Sequence, residues 1–392
     1  VNGAAHVVYP IGFHGPYTFS MYFMNLFYRL WLILPVDHSS WIYPFAPSYS
    51  SCLLVFMFKL PLIVFDVSVC FLLYRLVLFL ANCRSTAMFA SLVWILNPYL
   101  TIAVEMDGTM DIISTFLVVA AVYLYVRGKE MLSGTLLALA TMSRFYPVAM
   151  VPFFAFFVLK ERRVKGFSMM IGSYLAVMTL ALVPLFVTYG TSVFDTVYGL
   201  FIGGNREFTW FFGFRPNVSS TSGTEISSVV TVLAVVVLLV LKVWKADRRL
   251  VLDVTLIALL TYLGFSHWNR YYTIWVTPFL TVDMAINRNG RYKVAYTALF
   301  ILFFVSAFVY NGAYWWLSSG LFVYEWTPTI AQITGWMKGV ASALRAGDLG
   351  TTFSQSILSG TCILYALMVN VRNMLGRGRE VPRANTVSSL NL

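Results

Sequence analysis

The chain has 392 residues, of which 59% are hydrophobic, 17% aromatic and 11% charged, with a formal net charge of +11. A soluble domain carries roughly a quarter charged residues, so an ordinary cytosolic enzyme is excluded. The basic excess is no nucleic-acid footprint either, because it sits in small clusters between apolar runs, the distribution that the positive-inside rule expects of a membrane protein.

The fold class read from this pattern is an all-α polytopic membrane protein. Length alone would suggest two or three domains, but no long polar stretch interrupts the apolar runs, so one membrane domain is expected at 57–392, after an extracytoplasmic segment at 1–56. The chain opens at Val1 with no starting Met, which leaves a non-standard start or missing N-terminal sequence open. Phe19, Phe23, Leu26, Phe27 and Leu30 make an apolar stripe interrupted by Arg29, so an interfacial helix competes with a first span over 18–36.

Spans are expected at 57–80, 85–101, 109–127, 131–143, 146–159, 167–188, 225–243, 250–265, 271–286, 294–311 and 352–371. The connections at Arg84, Arg127–Lys129, Lys160–Lys165, Lys242–Arg249 and Arg288–Lys293, with the tail from Arg372 to Arg383, hold 18 of the 27 Lys and Arg. These are every second connection. Eleven spans (ten to twelve) therefore alternate, with the basic connections and the C-terminal tail at 372–392 cytoplasmic. The long connections, 189–224 and 312–351, fall on the other side and point to extracytoplasmic chemistry. Thr327-Pro328 opens an outer amphipathic helix ending near Gly347, expected to lie on the membrane.

Two of the spans are short. A helix over 131–143 reaches only about 20 Å, and basic residues flank the 131–159 pair on both sides, so the turn Ser143-Arg144-Phe145-Tyr146-Pro147 is expected below the outer surface. Irregular backbone at that depth requires a protein-lined or wet cavity. Cys52, Cys70, Cys83 and Cys362 have no CxxC spacing and read as packing residues. No GxxxxGK[ST] and no usable GxGxxG supports a nucleotide site.

Several clusters could carry chemistry. Pro98, after Asn97, breaks or kinks a helix, and Glu105, Asp107 and Asp111 follow at an outer hairpin. Acids near a helix N-terminus complement its dipole; at a cavity mouth they would bind sugar hydroxyls or a metal. Arg144 beside Tyr146 suits phosphate, since a guanidinium is always charged and bonds bidentately, with snorkelling to the interface as the alternative. His267-Trp268-Asn269-Arg270-Tyr271-Tyr272 is an interfacial aromatic belt or a platform for sugars and phosphates. The 189–224 loop offers Arg206, Arg215 and a glycosylation sequon at Asn217. Lys59 and Asp66 are intramembrane charges on one helix face, and such charges are functional candidates or structural pairs.

At these residues the chain resembles the GT-C superfamily of membrane glycosyltransferases. It is most similar to the catalytic subunit of GPI mannosyltransferase I and to polyprenol-phosphate-dependent mannosyltransferases. The likeness covers about 43–165, with a weaker echo at 265–286. Asp66 followed by Phe71-Leu72-Leu73-Tyr74-Arg75-Leu76 resembles an intramembrane Asp with F-L-L-Y-R-L, and Trp94-Ile95-Leu96-Asn97-Pro98 resembles W-x-L-N-P. Gly108 and Asp111 fit a G-N-x-D. The run Met142 to Pro147 is similar to M-K-x-Y-P with Arg for Lys, and Tyr271 to Pro278 is similar to Q-Y-x-x-W-x-x-P. The sequence departs from the family where a D-x-D followed by Tyr is expected in the first outer segment, because Phe19 and Met21 stand at the acidic positions before Tyr22.

The resemblance implies a GT-C-like bundle in the plasma or endoplasmic reticulum membrane. It implies an enzyme that moves a hexose, mannose first, from a polyprenyl-phosphate donor to an extracytoplasmic acceptor. Asp37, Asp107 or Asp111 would act as general base. Arg144, Tyr146, His267 and Arg270 would hold the donor phosphate, and Glu105, Asn97, Arg206 and Arg215 would bind substrate. No metal ligand set stands out, and a divalent cation stays open as a cofactor. The expected partners are the lipid-linked donor, membrane lipids and a partner membrane subunit, with no nucleic acid. The missing D-x-D supports the alternative of a catalytically inactive GT-C-like subunit of a membrane complex.

Overall fold

The computed structural model describes residues 26–27, 29–30, 32–33, 49–106, 109–144, 146–161, 163–189, 250–265, 272–287, 290–311, 339 and 348–374. Among these, every regular element is helical. We label the longer helices α1 (Tyr49–Ala81), α2 (Arg84–Ile95), α3 (Asp111–Val126), α4 (Glu130–Ser143), α5 (Val151–Lys160), α6 (Val164–Tyr189), α7 (Leu250–Phe265), α8 (Thr273–Ile286), α9 (Gly290–Asn311) and α10 (Asp348–Met374).

The eleven-span count is not established by these helices. Stretches long and apolar enough to cross a membrane occur in α1 (Lys59–Ala81) and α6 (Val164–Val183), whereas Asp111–Val126, Leu250–Gly264 and Thr273–Ile286 are shorter apolar helices. Over the 18 most apolar residues of each long stretch only 33% and 17% are buried by protein, so most of their apolar surface faces outward, as lipid solvation requires and a soluble core helix does not. The helix α1 begins at Tyr49, earlier than the expected 57, and runs through Pro61. The expected span at 225–243, the outer loop at 189–224 beyond Tyr189, the outer helix after Thr327 except Gly339, and the tail beyond Met374 lie outside the described residues.

The local sequence explains the breaks. Asn82 takes a left-handed conformation (φ 47°) between α1 and α2, and Gly128 (φ 76°) ends α3. Beyond Gly128, the Lys129 amide donates to the Leu124 carbonyl and the Gly128 amide to Tyr125, at 2.9 Å each, the paired bonds that close a helix through a left-handed glycine. Helix α2 stops at Ile95, ahead of Pro98 and short of the expected 101. Asn97 then caps a single turn, Pro98–Leu100, its side-chain oxygen accepting from the amides of Tyr99 (2.9 Å) and Leu100 (3.3 Å). A wider π-helical stretch, Thr101–Met106, carries the chain on.

Packing follows the chain in hairpins: α2 lies on α1, α3 on α1 and α4, and α4 on α6, while α10 lies on α7 and α9 and α8 crosses α2 and α3. The approach of α4 to α6 is close enough to require a glycine, since a Cβ on Gly134 would collide with the Met170 carbonyl oxygen. Hydroxyls stitch these helices together. Ser133 Oγ donates to the Ala121 carbonyl at 2.9 Å, Ser114 Oγ to Ala140 at 3.2 Å and Ser173 Oγ to Met131 at 2.8 Å. Such bonds hold helices where apolar surface gives no hydrophobic drive between them. Between α1 and α2, buried Asp66 accepts from Trp94 Nε1 at 3.0 Å, and Cys70 and Ser91 exchange side-chain-to-carbonyl bonds. Asp66 therefore ties two helices. Cys70, Cys83 and Cys362 are free thiols.

Candidate functional site

The break between α4 and α5 is where the sequence called for irregular backbone. Helix α4 ends at Ser143, Arg144 is extended (φ −153°, ψ 152°), and a short 3-10 turn, Tyr146–Met150, leads into α5. This geometry swings Arg144 away from the helix axis and towards the first turn of α3, where Asp111 sits.

Asp111 is the centre of the constellation. It opens α3, favourably placed for the partial positive charge of a helix start, and its side chain is 0% exposed. Arg144 forms an ion pair to it through Nε and donates from Nη2 at 2.9 Å. Thr109 Oγ1 donates at 2.9 Å and Trp275 Nε1 at 3.2 Å. A carboxylate removed from solvent is stable only when paired and hydrogen-bonded, and here charge and hydrogen-bond capacity are both met. The Arg144 side chain keeps 17% exposure, so this end of the pair reaches the surface of the site.

Aromatic rings wall the ion pair. Tyr146 stacks on Trp275 with centroids 4.1 Å apart and planes 14° from parallel, and Tyr272 stacks on Trp275 at 4.2 Å. Tyr262 leans on both Trp275 and Tyr272. Helices α3 and α7, the start of α8 and the turn after α4 thus deliver one acidic, one basic and four aromatic side chains to a single place.

The structure brings together Asp111, Arg144 and Tyr146 from the expected site. Arg144, which the resemblance places at a donor phosphate, holds the Asp111 carboxylate in this structure. Asn97 is a buried cap of the Pro98–Leu100 turn. The backbone of Glu105 belongs to the π-helical stretch. Asp37, Asp107, Arg206, Arg215, His267 and Arg270 lie outside the described residues. Among the described residues no group of three or more His, Cys, Asp and Glu could hold a metal ion.

Sequence reasoning passed over Trp275, although it sits inside the Tyr271–Pro278 run, because a Trp near a span end has an interfacial explanation. It also passed over a second buried centre. Arg372 of α10 donates to Asp283 of α8 at 2.8 Å and to Asp253 of α7 at 3.1 Å. Tyr365, Asn287 and Asn373 complete the carboxylates' bonds at 2.8, 2.7 and 3.1 Å. Lone carboxylates inside apolar runs were the available signal. At a third place Glu130 pairs with Arg163, and that pairing raises the already high pKa of the guanidinium.

A family model described as GPI transamidase subunit PIG-U matches residues 14–204, just under half of the chain. No curated protein and no solved structure matches the chain. The matched stretch contains Asp66, Trp94, Asn97, Asp111, Arg144 and Tyr146, so it covers the acidic and basic members of the constellation but not Trp275. The resemblance holds at the coarser level of a GT-C-like membrane protein and is not to GPI mannosyltransferase I specifically. Mannose transfer and a polyprenyl-phosphate donor receive no support from the match.

Proposed function

We propose that the chain is a non-catalytic, GT-C-like subunit of a membrane complex of the GPI transamidase class, residing in the endoplasmic reticulum membrane. The observation that carries this reading is the state of Asp111. A general base must lie within hydrogen-bond reach of the proton it takes. Asp111 has no exposed surface and is already bonded by Arg144, Thr109 and Trp275, so accepting a proton from an outside hydroxyl would mean breaking a buried ion pair. The sequence adds that Phe19 and Met21, at the positions where the glycosyltransferases it resembles carry acids, cannot accept a proton. The family match over 14–204 supports the same class of complex. On this reading, partner membrane subunits carry the chemistry, and the Asp111–Arg144 pair fixes the α3–α4–α8 junction on which they assemble.

Cells depleted of the chain test the proposal. Transamidation of GPI onto protein should fall while mannose transfer into the GPI lipid continues at the parental rate, and re-expression of the Asp111→Asn chain should restore transamidation in proportion to the folded protein it yields. Transfer of labelled mannose from a polyprenyl-phosphate donor by the purified full chain would overturn it in favour of the glycosyltransferase reading.

A further inference from the structure

Three arginines of the described bundle hold a carboxylate: Arg144 with Asp111, Arg163 with Glu130, Arg372 with Asp253 and Asp283. The exposed Arg75 and Arg127 do not. Among the described residues no ion pair involves Arg75 of α1 or Arg127 at the end of α3; each guanidinium lies instead on aromatic rings. Arg75 stands 5.0 Å over Phe71, and Arg127 is 5.3 Å from the ring of Phe79 and 5.8 Å from that of Tyr123, whose hydroxyl accepts from it at 3.1 Å. A guanidinium on an aromatic face is held in place while its remaining N–H groups stay available for an anion.

The two arginines head an apolar track. Phe71, Arg75 and Phe79 recur every four residues, so they share one face of α1, and Arg127 approaches that face through Phe79. Below them, Val64, Val67 and Phe71 are each more than half exposed. From Val64 to Arg75 the helix rises about 16 Å, close to the ~15 Å of one leaflet's hydrocarbon. The acyl chains of a lipid lying along the valines and Phe71 would put its phosphate level with the two guanidiniums.

We propose that this face of α1, with Arg127 of α3, is a binding site for an anionic membrane phospholipid. The phosphate and the headgroup's net negative charge pair with Arg75 and Arg127, and one acyl chain follows Val64, Val67 and Phe71. The charge complementarity selects the lipid: two cations with no protein carboxylate leave a net positive station that a zwitterionic headgroup neutralises less well. This site is separate from the Asp111 centre and does not depend on the proposed membership of a complex.

The test is lipid retention by the purified full chain in mixed micelles of phosphatidylserine and phosphatidylcholine, read by native mass spectrometry. Two surface guanidiniums correspond to about a 30-fold preference for the anionic lipid. The Arg75→Gln/Arg127→Gln chain should lose that preference, while Arg163→Gln, at an arginine already paired to Glu130, should keep it. A photoreactive phosphatidylserine on the unaltered chain should cross-link to peptides covering 64–79 and 123–127, a readout that holds even where the double variant does not fold. Equal retention of both lipids by the unaltered chain, full preference in a folded double variant, or cross-links confined to other helices would overturn the proposal. Displacement of the phosphatidylserine by millimolar inorganic phosphate would also overturn it, identifying a site for soluble phosphate.

Discussion

The two buried ionic centres sit at opposite ends of α8 and solve the same problem differently. Near its start, Trp275 helps hold Asp111 against Arg144. Eight residues on, about 12 Å along the helix, Asp283 shares Arg372 with Asp253, so that among the described residues one acid meets one base at the first centre and two acids meet one base at the second. The first centre is walled by stacked rings and open at Arg144. The second is closed, with Arg372 only 7% exposed, and its carboxylates also accept from Tyr365, Asn287 and Asn373. The difference separates two tasks. A centre enclosed between α7, α8 and α10 can be fully sealed, whereas one at a chain break keeps a face for whatever meets the bundle there.

The largest expected effect is at the sealed centre. Arg372→Met removes the cation that Asp253 and Asp283 share, and removing one partner of a buried ion pair typically costs about 3–5 kcal/mol. Thermal unfolding of the purified chain in detergent should register this as the greatest loss of stability in the series. A loss no greater than that of Asp111→Asn would mean that the two centres are equivalent and the comparison fails.

The open centre should show coupling with a smaller individual cost. Asp111→Asn takes a carboxylate from a partly exposed guanidinium, whereas Arg144→Gln takes the guanidinium from a fully buried carboxylate, so the second single change should destabilise more than the first. The double variant should recover part of both losses, with an interaction energy of about 1–3 kcal/mol in the same unfolding assay. Strict additivity would show that the pair does not hold the α3–α4 junction.

Trp275→Phe should have the smallest effect. It keeps an aromatic ring for Tyr146 and Tyr272 to stack on but removes the Nε1 donor, and a hydrogen bond to a charged group is worth about 1.5–3 kcal/mol at most. The remaining donors Arg144 and Thr109 should hold the change towards the lower end of that range. A larger loss than in the Arg144→Gln chain would make the indole, not the guanidinium, the main support of Asp111.

The sequence by itself determined the helical class, the places where helices stop and the chemistry of the open centre's first members. Those are local properties. Pro98 with Asn97 ends one helix, Gly128 closes another, and the short 130–143 and 151–160 helices flank a turn that has to present Arg144. What Arg144 faces was not local. Asp111 lies 33 residues away and Trp275 a further 131 beyond Arg144, and nothing in the spacing distinguishes a protein carboxylate from a ligand phosphate as the partner of a guanidinium. The same holds for Asp253, Asp283 and Arg372, each an isolated charge in an apolar run until α7, α8 and α10 pack side by side. Apolar periodicity specifies that a helix buries or exposes a face but not which neighbour it meets, so the pairing of charges across helices was decided only by the tertiary structure.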